Sequence, residues 1–166
     1  MTALGSADAA AFLYREALLL DRGDYDAWLE LYTPDCLFWM PAWRDDGTQT
    51  EDPDRELSLI FYRGRRNLED RVQRIRSPVS AASRVMPRVA HMIGNVLAEP
   101  VDGGTRVRID SSFIVNVQDI RSHRTHAYFG RYEHELRLEN GAWKISQKII
   151  RLMNDVVPTM VDVYGI

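Results

Sequence analysis

The chain of 166 residues contains one cysteine, two lysines and no long apolar run. A single thiol, Cys36, excludes an internal disulfide and any cysteine-rich cluster or zinc knuckle made by this chain alone. Two readings of it stand, a nucleophile or a small apolar residue in a strand, and the apolar run "CLFWM" around it favours the second. No stretch approaches the length that spans a bilayer. The start, "MTALGSADAAAFLYREALLL", has no basic region ahead of its apolar stretch and carries Asp8, Arg15 and Glu16 inside it. It reads as a helix and not as a signal peptide, so a cytoplasmic protein with no membrane partner is expected. The net charge of −3 gives no support to nucleic-acid binding. Phosphate loops, nucleophile elbows and dinucleotide fingerprints are missing as well.

What is present is ordinary in bulk, with 45% hydrophobic and 27% charged residues. A chain of this size fits one domain, residues 1–166, and hides roughly 70% of its unfolded surface. The basic residues are unusual in kind, 19 arginines against Lys144 and Lys148. Arginine suits planar bidentate contacts and protein interfaces, although an arginine-favouring codon usage gives the same count.

Ser6 is placed to cap a helix over about residues 7 to 22, with Leu13, Ala17 and Leu20 on one face and Gly23 as its stop. Asp24 caps a second helix bearing Tyr25, Trp28, Leu29 and Tyr32 on one side, ended by Thr33-Pro34. "CLFWM" is a short strand stopped by Pro41, "ELSLIFY" a second strand, and "NLEDRVQRI" a third helix capped by Asn67. From about residue 87 strands and turns take over: "RVAHMIGNVLAE", then "TRVRIDSSFIVNVQ", whose Val107, Ile109, Phe113, Val115 and Val117 alternate with mostly polar neighbours. "HRTHAYFGRYEHELRL" follows, and Asn140-Gly141, the strongest short hairpin signal, leads into "AWKISQKIIRLM". Helices first and a twisted antiparallel meander afterwards predict an α+β domain with helices on one face of the sheet.

Along the strand near residue 130, His126, Tyr128, Tyr132, His134 and Leu136 share one face. Such a face lines a cavity with histidine as general base and tyrosine as donor, or it is packing; no carboxylate is expected to share it. His91, on the same side of its strand as Val89 and Ile93, is another candidate for such chemistry or a satisfied structural histidine, and the second reading is favoured. His123 and His126, three apart on a strand, point to opposite faces and cannot grip one metal ion. No cysteine and histidine spacing suits a two-histidine iron–sulfur centre. Charge is segregated by segment: residues 44 to 56 hold Asp45, Asp46, Glu51, Asp52, Asp54 and Glu56 against Arg44 and Arg55, and residues 63 to 76 hold six arginines against Glu69 and Asp70. The two segments pair within the subunit or across an interface.

The tract "FLYREALLLDRGDYDAWLELYTPDCLFWMPAWRDDGTQTEDPDRELSLIFY", with "LEDRVQRI", "SRVMPRVAHMIGNV" and "NDVVPTMVDVY", spans nearly the whole chain. It resembles the small (β) subunit of aromatic-ring-hydroxylating dioxygenases, in the branch acting on aromatic carboxylates such as benzoate and anthranilate. That resemblance implies a nuclear-transport-factor-2-like cone, N-terminal helices packed on a strongly curved antiparallel sheet. It also implies an α subunit holding a Rieske [2Fe–2S] cluster, the mononuclear iron and the substrate pocket, a reductase passing electrons from NADH, and an α3β3 hexamer. This chain is then structural, with no cofactor, metal ligand or catalytic residue of its own. The alternatives on the same fold are a free-standing dehydratase or isomerase using His126, His134, Tyr128 or Tyr132, and a homo-oligomeric small-molecule-binding domain. On the structural reading the interface is expected at Trp43, Arg44, Asp45 and Asp46 of the acidic loop and at Arg65 and Arg66, with Trp39 in the core. The tail "VVPTMVDVYGI" docks on a partner or on its own sheet.

Overall fold

Leu13, Ala17 and Leu20 form the buried stripe of helix α1, Ser6–Arg22, which stops where Gly23 turns left-handed at φ 70°. Gly5 takes the capping position expected of Ser6, whose Oγ instead accepts the Ala98 N–H at 3.0 Å and ties the helix to a strand. Asp24 does cap α2, Tyr25–Leu29, accepting the Ala27 N–H at 3.4 Å. This helix is shorter than predicted, because the chain is already extended at Tyr32: Pro34 disfavours a helical residue before it, and β1 runs Tyr32–Pro41. After β2, Ser58–Arg63, helix α3 covers Arg65–Arg76 and buries Leu68 and Val72. Its cap is Gly64 (φ 87°), three residues ahead of the expected Asn67, whose amide donates to the Arg63 carbonyl at 2.6 Å.

The strands β3 (Arg88–Val101), β4 (Arg106–Gln118), β5 (Thr125–Glu139) and β6 (Ala142–Leu152) follow as a meander. Between β5 and β6, Asn140 and Gly141 both have positive φ, 51° and 80°, as a two-residue hairpin with a type I′ turn requires. The computed structural model describes residues 4–77 and 85–166; Ser83 and Arg84 of the tract quoted above, and residues 1–3, lie outside it.

The six strands form one curved sheet in the order β2-β1-β6-β5-β4-β3. It is mixed: β1 lies parallel to β6, with Phe38 opposite Lys148, while the other neighbours are antiparallel. A parallel pair needs a long crossover, which here is everything from β2 to β5. Register shifts at Gly94/Leu97 and Glu135/Leu136 add twist and curl to the long strands. The helices cover the inner face, where Trp28 meets Tyr32 edge-on at 5.0 Å between ring centres. The end of the tail packs on its own chain: Val163 and Ile166 are buried, and Arg71 Nε on α3 donates to Asp162 Oδ1 at 2.9 Å. Val156 and Met160 in the same tail stay exposed. Among the described residues no helix is long and apolar enough to cross a membrane.

Candidate functional site

Alternation along β5 turns Tyr128, Tyr132, His134 and Leu136 inward, with His126 half-buried on the same side. Helix α1 supplies the carboxylate that the strand lacks. Glu16 follows Leu13 by three residues and precedes Leu20 by four, so it shares their buried face. Its Oε1 accepts from Lys148 Nζ at 2.9 Å, Tyr32 Oη at 2.6 Å and Trp28 Nε1 at 3.4 Å, and His134 Nε2 lies 3.4 Å from Oε2. The Lys148 ammonium sits 4.4 Å from the Tyr132 ring centre and 5.6 Å from that of Phe38.

Glu16, Tyr132, His134 and Lys148 are all buried. Burial alone would raise the Glu16 carboxyl, but the Lys148 charge, with His134 and the Tyr32 hydrogen bond, holds it well below the usual carboxylate range. Burial, reinforced by Lys148, outweighs Glu16 and pushes His134 down, so its imidazole is neutral. Burial and the neighbouring Glu16 push the Tyr32 and Tyr132 hydroxyls far up. The centre of the cone is thus a closed ion pair in an aromatic box.

Of the four histidines and tyrosines singled out in the sequence, only Tyr132 and His134 belong to this centre. His126 and Tyr128 face a cavity of about 190 Å³ at the open end of the cone, bounded also by Val117, Arg121, Met160 and Tyr164. Their rings meet edge-on at 5.1 Å. The four side chains are thus divided between the buried centre and this cavity. His123 lies outside the strand in the β4–β5 turn, left-handed at φ 55°, so turn geometry rather than strand alternation separates it from His126. His91 is a partnered core histidine, its Nδ1 2.6 Å from Asp21 Oδ1. Burial, then Asp35, pushes the Cys36 thiol up to about 11, which leaves it protonated and a poor nucleophile at neutral pH. Among the described residues no three His, Cys, Asp or Glu side chains converge as a metal site.

The acidic loop is built around one of its own carboxylates. Glu56 Oε2 accepts the N–H groups of Glu51 and Asp52 at 2.7 and 2.8 Å, while Arg44 Nε and Nη2 hold its Oε1 at 2.9 and 2.6 Å. Those two amides and then Arg44 bring the Glu56 carboxyl down to about 2. Gln49 Nε2 donates to the Leu152 carbonyl at 2.9 Å and fastens the loop to β6. Trp39 is buried and donates to Ser58 Oγ at 2.9 Å. Acidic and basic segments meet at Asp54–Arg63, 3.1 Å apart; Arg65 turns to Glu69 and Glu30, Arg71 to Asp162 and Arg76 to Asp26.

Of the six expected interface residues, Arg65 and Arg66 follow Arg63, which pairs with Leu37 near the start of β1, and Trp43 follows the other end of that strand at Pro41. Arg44 is engaged within the loop, and Asp46 accepts from the Thr48 N–H and hydroxyl; Trp43, Asp45 and Arg66 project outward. Trp43, 42% exposed, shares a shallow groove with Arg131, Arg151 and Met153. Across the outer face the groove continues into Phe129, Ile114 and Met92, cross-strand partners exposed by 44%, 47% and 64%. The adjoining row, Ala90, Asn116 and Ala127, carries no charge. These outward apolar residues escaped the sequence analysis, although "FIV" and "AYF" break the polar alternation of their strands.

A family model described as the ring hydroxylating beta subunit matches residues 15–159. The chain is 39% identical to the 2-halobenzoate 1,2-dioxygenase small subunit of Burkholderia cepacia, with all of both chains covered. Its fold superposes on the crystal structure of the benzoate 1,2-dioxygenase beta subunit of Burkholderia mallei with a TM-score of 0.81, 35% identity and full coverage of both. A Novosphingobium aromaticivorans protein described as a scytalone dehydratase is similar in fold alone, at TM-score 0.67 and 13% identity over 93% of this chain and 89% of that one.

Proposed function

Since the chain belongs to the ring hydroxylating beta subunit family, we propose that it is the structural small subunit of an aromatic-ring-hydroxylating dioxygenase whose substrate is an aromatic carboxylate of the benzoate type. The observation that carries this reading is the end-to-end likeness to small subunits of benzoate-class enzymes. The chain acts as one domain over its 166 residues, in the cytoplasm, as a component of an oxidoreductase for aromatic catabolism. A Rieske [2Fe–2S] cluster and a mononuclear iron reside in the large subunit and are supplied with electrons from NADH through a reductase, for insertion of both atoms of O2 into the ring. The buried centre of this chain does not suit such an iron: the Lys148 ammonium already occupies Glu16, the carboxylate beside His134.

The task left to this chain is assembly, as three copies with three large subunits. The large subunit is assigned to the outer sheet face, where Trp43, Met153, Phe129, Ile114 and Met92 form an apolar row with uncharged Ala90, Asn116 and Ala127 on one side and Arg131 and Arg151 on the other. Aromatic and methionine side chains of this kind anchor interfaces, and a contiguous exposed patch marks a contact surface. Asp45 and Arg66, further out, set register and on-rate. Co-expression with the large subunit tests the reading. Phe129→Glu is expected to abolish co-elution while leaving the circular dichroism spectrum intact, and Leu57→Glu, exposed but off the row, is expected to preserve it. Undiminished co-elution of Phe129→Glu overturns the assignment of this face.

A further inference from the structure

The cavity at the open end of the cone is used neither by the ion-paired centre nor by the outer face. Its polar groups are of unequal availability. Asp162 is held by Arg71 and by the Val163 N–H. Asp119 accepts the N–H groups of Arg121 and Ser122, both at 2.8 Å. Both carboxylates in the wall are therefore occupied by donors of the protein itself. The Arg121 guanidinium, by contrast, has no ion pair or hydrogen bond among the described residues and projects at the rim. Tyr128 is 2% exposed, and its hydroxyl has no hydrogen-bond partner among the described residues. His126 lines the same cavity, its ring edge-on to that of Tyr128.

The spare chemistry is thus that of donors and one cation, which calls for an anionic acceptor. The rest of the wall is mostly apolar or aromatic, with Val117, Met160 and the Tyr164 ring, while the Thr159 hydroxyl donates to the Met160 carbonyl; it calls for a flat hydrocarbon body. A volume of about 190 Å³ lies below the range of roughly 300–1,000 Å³ that takes drug-sized ligands, so it suits one ring with one small head group. An unpartnered buried hydroxyl carries a desolvation cost, and an acceptor brought by a ligand removes it.

We propose that the open end of the cone is a binding site for a compact aromatic carboxylate, the carboxylate on Arg121 and Tyr128 and the ring against Val117, Met160 and Tyr164. The anionic head and apolar body follow from the cavity; the choice of benzoate as probe rests on the family reading. Binding there makes the small subunit responsive to the acid that its enzyme consumes.

The test is a titration of the purified full chain with benzoate, followed by amide NMR and calorimetry. Benzoate is expected to shift the resonances of Val117, Tyr128 and Tyr164. Arg121→Met is expected to weaken binding about tenfold, the loss of one charge-assisted contact. Tyr128→Phe should weaken binding about threefold or more without lowering stability, since its hydroxyl has no hydrogen-bond partner among the described residues. Benzamide, neutral and of the same shape, should bind more weakly than benzoate. Absence of shifts at these residues, or equal affinity of wild type and Arg121→Met, overturns the inference. Co-elution with the large subunit is measured separately, so loss of benzoate binding with assembly intact sinks this site alone, and the reverse outcome sinks the assembly reading alone.

Discussion

Glu16 and Lys148 are the residues on which the interior turns. Two opposite charges at 2.9 Å, both buried, hold each other ionised where neither would stand alone. The pair contributes little beyond a matched apolar pair, because each ion gave up its hydration; breaking it strands the survivor. Glu16→Gln leaves an uncompensated ammonium in the core and is expected to lower unfolding free energy by about 3–5 kcal/mol. Lys148→Met strands the carboxylate and should cost a similar amount. Glu16→Met with Lys148→Met, which removes both charges and keeps volume, should recover most of the loss. Urea unfolding of wild type, the two single variants and the double variant closes the cycle. A double variant as unstable as the sum of two singles would show that these groups act independently and that the ion pair is not the organising contact. The sequence held a clue to the pair: Glu16 sits on the apolar stripe of its helix, and Lys148, one of two lysines, stands among the isoleucines of "ISQKIIRL". What it did not hold was that the two stripes face each other.

At the scale of elements, local chemistry was legible and non-local contact was not. The Asn140-Gly141 turn, the Gly23 stop and the alternation of β4 and β5 each depend on residues a few positions apart, and each forms as the sequence predicts. The start of α3 and the parallel union of β1 with β6 depend on where the backbone arrives from elsewhere. Gly130 is the sharpest case. Nothing in "YFGRY" singles it out, yet a Cβ built there falls 2.1 Å from the Arg151 carbonyl oxygen of β6. The backbones of β5 and β6 approach too closely at that point for any side chain. Gly130→Ala must part the strands or shift Arg151, and the expected cost is roughly 2–3 kcal/mol, read as a lower urea midpoint at unchanged slope. The conflict is with backbone, not with a flexible side chain, so relaxation is limited. A midpoint equal to wild type would mean that the two strands have slack at this position.

For the whole molecule, the response to acid follows from which charges are buried. Ion pairs such as Asp54–Arg63 and Asp26–Arg76 are exposed, screened and of little weight. Of the buried groups, His134 and Glu16 are both shifted down. The folded-state pKa of His134 is depressed, so as pH falls below about 6.5 the unfolded chain takes up a proton that the folded chain refuses. Its contribution is full above that pH and is lost as pH falls toward the folded value. Glu16 is also depressed in the folded state; its contribution is full above about pH 4.5 and is lost only in stronger acid. The two slopes therefore have the same sign and act in succession. Stability measured by urea unfolding should decline between about pH 7 and 5.5, by at most about 1.4 kcal/mol per pH unit for a single proton. The sequence pI of 5.8 brings net charge near zero in the same interval, so the weakened fold meets reduced repulsion between molecules and the exposed apolar row on the outer face promotes association. His134→Gln keeps a polar side chain but removes the titration, and its urea midpoint should be flat between these two pH values where that of wild type falls. Parallel declines in both proteins would place the acid sensitivity outside the cone.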